Sequence, residues 1–100
     1  MLLYNITVKI AGDVEEEWLM WMKEKHTPEV VNAGKFLESK ISRLLNKPKG
    51  EESTYVIQYL CENLEQYNFY IENFAGALRD EHNAKYKNKF VAFRTLMEIV

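Results

Sequence analysis

The chain is poor in cysteine, proline and glycine. Cys61 is its single cysteine, so no disulfide can form within the chain and a secreted disulfide scaffold is excluded. Two prolines and four glycines among 100 residues rule out collagen-like, polyproline or linker-rich organisation. Basic residues occur only as scattered pairs, and the net charge is -2, with 13 Lys and Arg against 15 Asp and Glu. Such a surface supplies no field for a phosphate backbone, so nucleic acid is not an expected partner. No apolar run approaches the roughly 18 residues that a membrane helix needs, and the N-terminus lacks a basic stretch followed by an apolar one. The expectation is a cytoplasmic, reduced chain with no membrane partner.

Hydrophobic residues make up 47% of the chain and charged ones 28%, with both signs interspersed, as in an ordered soluble domain. One hundred residues are enough for one domain, 1–100, burying roughly two-thirds of the surface of its unfolded form. Its core is modest, and self-association would enlarge it.

One cadence occurs twice. Leu2 to Ile10 reads as a strand, Asp13 to His26 as a helix and Phe36 to Leu45 as a strand; Thr54 to Cys61, Asn63 to Tyr86 and Val91 to Val100 repeat the series. Tyr4, Ile6, Val8 and Ile10 alternate with Asn5, Thr7 and Lys9 at the strand period. Asp13, with Glu16 three residues on, has the form of a helix cap, and Val14, Trp18, Leu19, Trp21 and Met22 trace a helical stripe. Pro28 disfavours helical geometry at Thr27 and predicts a stop or kink there, with Gly34 ending a short turn. Asn63 and Gln66 form a second cap, and Gly76 is a candidate break in the helix that follows. The order β-α-β-β-α-β predicts an α+β, ferredoxin-like fold: a four-stranded antiparallel sheet with helices on one face.

The last strand has one wholly apolar parity, Val91, Phe93, Thr95, Met97 and Ile99, which is expected to face the helices. The other sheet face then combines Leu3, Val56, Leu60, Leu96 and Val100 with Asn5, Gln58, Arg94 and Glu98. A half-apolar, half-charged sheet face suits a second sheet packed about 10 Å away, which predicts a homodimer with Leu3, Val56, Arg94, Leu96 and Glu98 at its interface.

His26 follows Met22 by one helical turn and either binds an anionic ligand or packs with its nitrogens satisfied by backbone. His82, three residues after Arg79 and beside Asp80 and Glu81, belongs to an anion pocket or to a solvated helix face. Trp18, Trp21 and Tyr67 are core residues or the aromatic lining of a pocket. Cys61 lacks the local signature of a nucleophile, and its spacing to His26 and His82 matches no metal-site pattern, so neither metal nor cofactor is implied. A cavity of a few hundred Å³ reaching His26 or His82 would distinguish a small-molecule site from a purely structural interior.

The run Trp18-Leu19-Met20-Trp21-Met22-Lys23-Glu24-Lys25-His26-Thr27-Pro28-Glu29-Val30, with Gly34-Lys35-Phe36, Ala77 to His82, Phe90 to Leu96 and the opening Leu3 to Val8, closely resembles a bacterial family of about this length classed as a domain of unknown function. The resemblance covers nearly the whole chain. It implies a dimeric α+β barrel, of the superfamily that includes antibiotic-biosynthesis-type monooxygenases, haem-degrading enzymes, isomerases and ligand-sensing domains. It implies no activity, since the family has none assigned. The polar members of the matching segments, His26, Arg79, His82 and Arg94, become the residues to test. Two functions fit: a dimeric module that binds a small molecule between sheet and helices, or a non-catalytic interaction protein. A small cofactor-independent enzyme similar to the monooxygenases is the alternative.

Overall fold

Strand β1, Leu2–Ile10, buries Tyr4, Val8 and Ile10 on one side and lies at the centre of the molecule, bonded to a neighbour along both edges. In the computed structural model, which describes Met1–Val100, β2 is Glu38–Arg43, β3 is Ser53–Cys61 and β4 is Phe90–Glu98. The strands form one antiparallel sheet in the order β2-β3-β1-β4. β3 alternates strictly, burying Tyr55, Ile57, Tyr59 and Cys61 beneath the helices. The fold is the expected α+β, ferredoxin-like one.

Helix α1, Glu15–Trp21, runs through a π turn, Met22–His26, into α2, Thr27–Gly34. Pro28 therefore does not stop the helix. It lies in the first turn of α2, where the wider π turn before it has already shifted the backbone bonding, the Thr27 N–H reaching Met22 O. The cap expected of Asp13 is not made either: α1 opens at Val14 without a side-chain cap, and Asp13 pairs with Lys89 at 2.6 Å. Three acidic residues, Glu15, Glu16 and Glu17, meet the positive end of α1 instead. Lys35, at φ 52°, takes the left-handed position after α2, while Gly34 lies so close to the Phe36 ring that a Cβ would stand 2.3 Å from Cε2. Because the Phe36 N–H bonds Val31 O, that residue belongs to the helix exit, and β2 begins later than the apolar pattern predicts.

The second long helix comprises α3, Leu64–Tyr70, a π turn, Ile71–Ala75, and α4, Gly76–Lys85. Asn63 caps it as expected, its side chain accepting from the Gln66 N–H, while Gln66 Oε1 accepts from the Glu62 N–H. Gly76 opens α4 without interrupting the helix. Both helices lie on the face defined by Tyr4, Val8, Tyr55, Ile57 and Tyr59, and Lys25 ties them together, 3.2 Å from Glu81.

The register of β4 reverses the expected faces. Ile6 pairs with Arg94, Tyr4 with Leu96 and Leu2 with Glu98, and directly paired residues share a face, so Arg94, Leu96 and Glu98 lie on the helix side. Val91, Phe93, Thr95 and Met97 occupy the open face, where Val91 is 71% and Phe93 62% exposed. Apolarity misleads here because β4 is an edge strand whose helix-side residues are only partly roofed. Leu3 and Val56 fall on the open face, opposite Leu60 and Thr7 respectively, as their parity predicts.

Candidate functional site

Tyr4 is the polar member of an otherwise aliphatic helix-side row on β1, and its hydroxyl accepts a 2.9 Å bond from Arg79 Nη2 on α4. One helical turn further on, His82 is 7% exposed and its Nε2 accepts the indole N–H of Trp18 at 2.9 Å. Indole is a donor only, so Nε2 carries a lone pair and the ring is neutral. Burial, reinforced by His26 and Arg94 nearby, pushes the His82 pKa down to about 4.

His26 closes the π turn of the first helix, stacks on Trp21 with ring centroids 5.0 Å apart and lies 5.6 Å from the His82 ring. Its Nδ1 is buried with no partner in the protein, so the backbone bond expected of a packing histidine is missing on that nitrogen. Burial lowers its pKa, against the opposing pull of Glu81 and Glu29. Arg79 Nε is likewise buried and unpartnered.

A cavity of about 30 Å³ lies between sheet and helices, with His26, His82, Arg79, Arg94 and the Tyr4 ring in its wall. It reaches both histidines but falls well below the few hundred Å³ that would mark a drug-sized pocket, and has room for about two waters. Apolar residues including Ile6, Val30 and Leu78 complete it, and no Asp or Glu lines it. The structure thus brings together His26, Arg79 and His82 as candidates, and adds Arg94, expected at an interface. Trp18, Trp21 and Tyr67 stand behind the wall: Trp18 holds His82, Trp21 backs His26, and Tyr67 meets Tyr4 edge-on at 5.2 Å. Sequence reasoning passed over the Tyr4 hydroxyl, although a single phenol in a row of Ile and Val was a visible signal. Cys61 does not line the cavity with the histidines, its thiol donating to Asn63 O and held up in pKa by burial. No three His, Cys, Asp or Glu side chains converge as metal ligands, and no helix is long and apolar enough to cross a membrane.

Comparison with known proteins agrees with this architecture. A dimeric ferredoxin-like protein from an uncultured marine organism superposes with TM-score 0.70 at 16% identity, over 100% of this chain and 95% of its own. A provisionally assigned antibiotic biosynthesis monooxygenase from Deinococcus radiodurans gives 0.68 at 14% identity, over 100% and 93%. A haem-degrading protein from Mycobacterium tuberculosis, with two haems bound in its active site, gives 0.60 at 18% identity, over 100% and 96%. At such identities the likeness is one of fold. No match emerges among curated proteins. Residues 1–100 match the family model described as Domain of unknown function (DUF4286), and the chain belongs to that family.

Proposed function

We propose that the protein is a cytoplasmic homodimer that binds a small molecule in the cavity between its sheet and its helices. The observation that carries the binding reading is the pair of buried, unpartnered nitrogens, His26 Nδ1 and Arg79 Nε, belonging to residues of one cavity wall. Buried polar atoms without partners are rare in folded proteins, and a ligand would satisfy these two. Dimerisation is supported by the open sheet face, where Val91 and Phe93 stand exposed beside Leu3, Val56 and Met97, and by the dimeric relative of the same fold. Burying side chains of this size contributes roughly 1.5–3 kcal/mol each. A free, buried thiol at Cys61 is compatible with a reducing compartment.

A thermal-shift screen of small metabolites against the wild type and His26→Phe tests the reading. Compounds that raise the wild-type melting temperature and lose that effect in His26→Phe are expected. A screen in which no compound stabilises the wild type, or in which the variant responds equally, refutes it. A cofactor-independent enzyme is the second reading, favoured by a neutral His26 with one nitrogen free to exchange a proton with a bound molecule.

A further inference from the structure

The cavity has positively charged donors and no anionic acceptor. Arg79 and Arg94 both line it, and no carboxylate shares the wall. The ion pairs of the chain use lysines, Lys9, Lys25, Lys85 and Lys89, so neither arginine is matched by Asp or Glu within the molecule. Arg79 spends one N–H on the Tyr4 oxygen, which leaves the phenol proton available to an acceptor, and its Nε–H is buried without one. A half-buried guanidinium without a counter-charge is costly, and a bound anion removes the cost.

Size narrows the anion. A volume of about 30 Å³ accommodates two water-sized atoms, which suits the two oxygens of a carboxylate better than the four of a phosphate. Arg94 both lines the cavity and is exposed on the edge strand, with Leu96 38% exposed beyond it on the same face, which makes this side the route out. Resting on the small-molecule reading above, we propose that the ligand is a monocarboxylate with a short apolar tail, its head set against Arg79 and the Tyr4 hydroxyl and its tail leaving past Arg94 over Leu96. Arg94, where the tail leaves, adds a second positive charge that draws the carboxylate toward Arg79, and the neutral histidines form the wall without adding competing charge.

The test uses isotopically labelled full-length protein titrated with sodium propionate, propionamide and inorganic phosphate at matched ionic strength, followed by amide and arginine Nε–H resonances. Propionate is expected to shift Tyr4, Arg79 and Arg94 saturably, and propionamide to bind at least about tenfold more weakly, as loss of charge-assisted bonds requires. Arg79→Gln is expected to weaken propionate by about tenfold or more. Arg94→Gln, an exposed position whose change spares the core, should also weaken it and serves if Arg79→Gln does not fold. Equal affinity for propionate and propionamide overturns the anionic class while leaving a small-molecule site. Tighter binding of phosphate overturns the carboxylate assignment, and unchanged propionate affinity in a folded Arg94→Gln overturns the placement. Absence of saturable shifts with all three probes overturns the carboxylate proposal, whereas the small-molecule reading falls only if the thermal-shift screen also finds no stabilising compound.

Discussion

Trp18 and His82 are joined by a 2.9 Å bond in which the indole N–H donates to the imidazole Nε2, linking the first helix to the last one inside the core. Trp18 is fully buried and His82 nearly so, and His82 also meets the Phe90 ring edge-on at 4.5 Å. The bond requires a neutral imidazole, so it couples the proton inventory of the site to the stability of the fold.

Stability should therefore depend on pH in a definite sense. The folded pKa of His82, about 4, lies below the ordinary value of 6.5, so the unfolded chain binds more protons between those two values. The contribution is complete above pH 6.5 and is lost as the pH falls toward 4, by roughly 2 kcal/mol after allowing for solvent screening. The groups around the ring are Trp18, Trp21, His26, Asn83, Tyr86, Phe90 and Arg94; among the charged or titratable ones, His26 has a pKa lowered in the same direction. Urea unfolding across this range should show the loss, and His82→Gln, whose amide oxygen can still accept from Trp18, should flatten the curve. A level wild-type profile would contradict the argument.

Replacing Trp18 by Phe removes the donor and part of a fully buried side chain. The cost should be about 2–4 kcal/mol, combining a partly filled cavity with an unsatisfied His82 nitrogen. Equilibrium denaturation measures it, and a cost below about 1 kcal/mol would mean that the bond and the packing contribute little.

Two glycines should respond with opposite signs to the same change. Gly34→Ala forces a methyl against the buried Phe36 ring and should destabilise by about 1–3 kcal/mol, with partial rescue by Phe36→Leu. Gly76→Ala meets nothing within 4 Å in a helical conformation and should stabilise by about 0.4–1 kcal/mol. Thermal unfolding of the two variants side by side is sufficient, and a shared sign would disprove the steric account.

The homodimer proposed above should be converted to monomers by Phe93→Asp on the open sheet face, because in that assembly the aspartate would be buried unpaired between sheets. Leu96→Asp, on the helix side of the edge strand, should leave the assembly mass unchanged. Light scattering with both variants reads the difference directly. Dissociation by Leu96→Asp alone would place the interface on the other side of β4.

Element order and type were legible in the chain because alternation along β1 and β3 and the stripe from Val14 to Met22 report which side chains leave water. The Asn63 cap was legible for a local reason, since a side chain three residues from its target needs no tertiary help. The parity of β4 was not. Its more apolar face is the one turned away from the helices, and backbone pairing of Arg94 with Ile6, a contact across the chain, decides which face looks at them. Continuity of the first helix through Pro28 was equally hidden, because it depends on a π turn that no propensity signals.

The sequence by itself determined a ferredoxin-like fold with an amphipathic sheet and the residue types of a candidate site, because local periodicity and composition are written residue by residue. Only the tertiary structure decided that His26, Arg79, His82 and Arg94 line one small cavity, that Trp18 fixes the neutral form of His82, and that Val91 and Phe93 rather than Arg94 face outward. Each of these depends on pairing between residues far apart in the chain, set by strand register and helix docking, and no local pattern encodes which partner a side chain will meet.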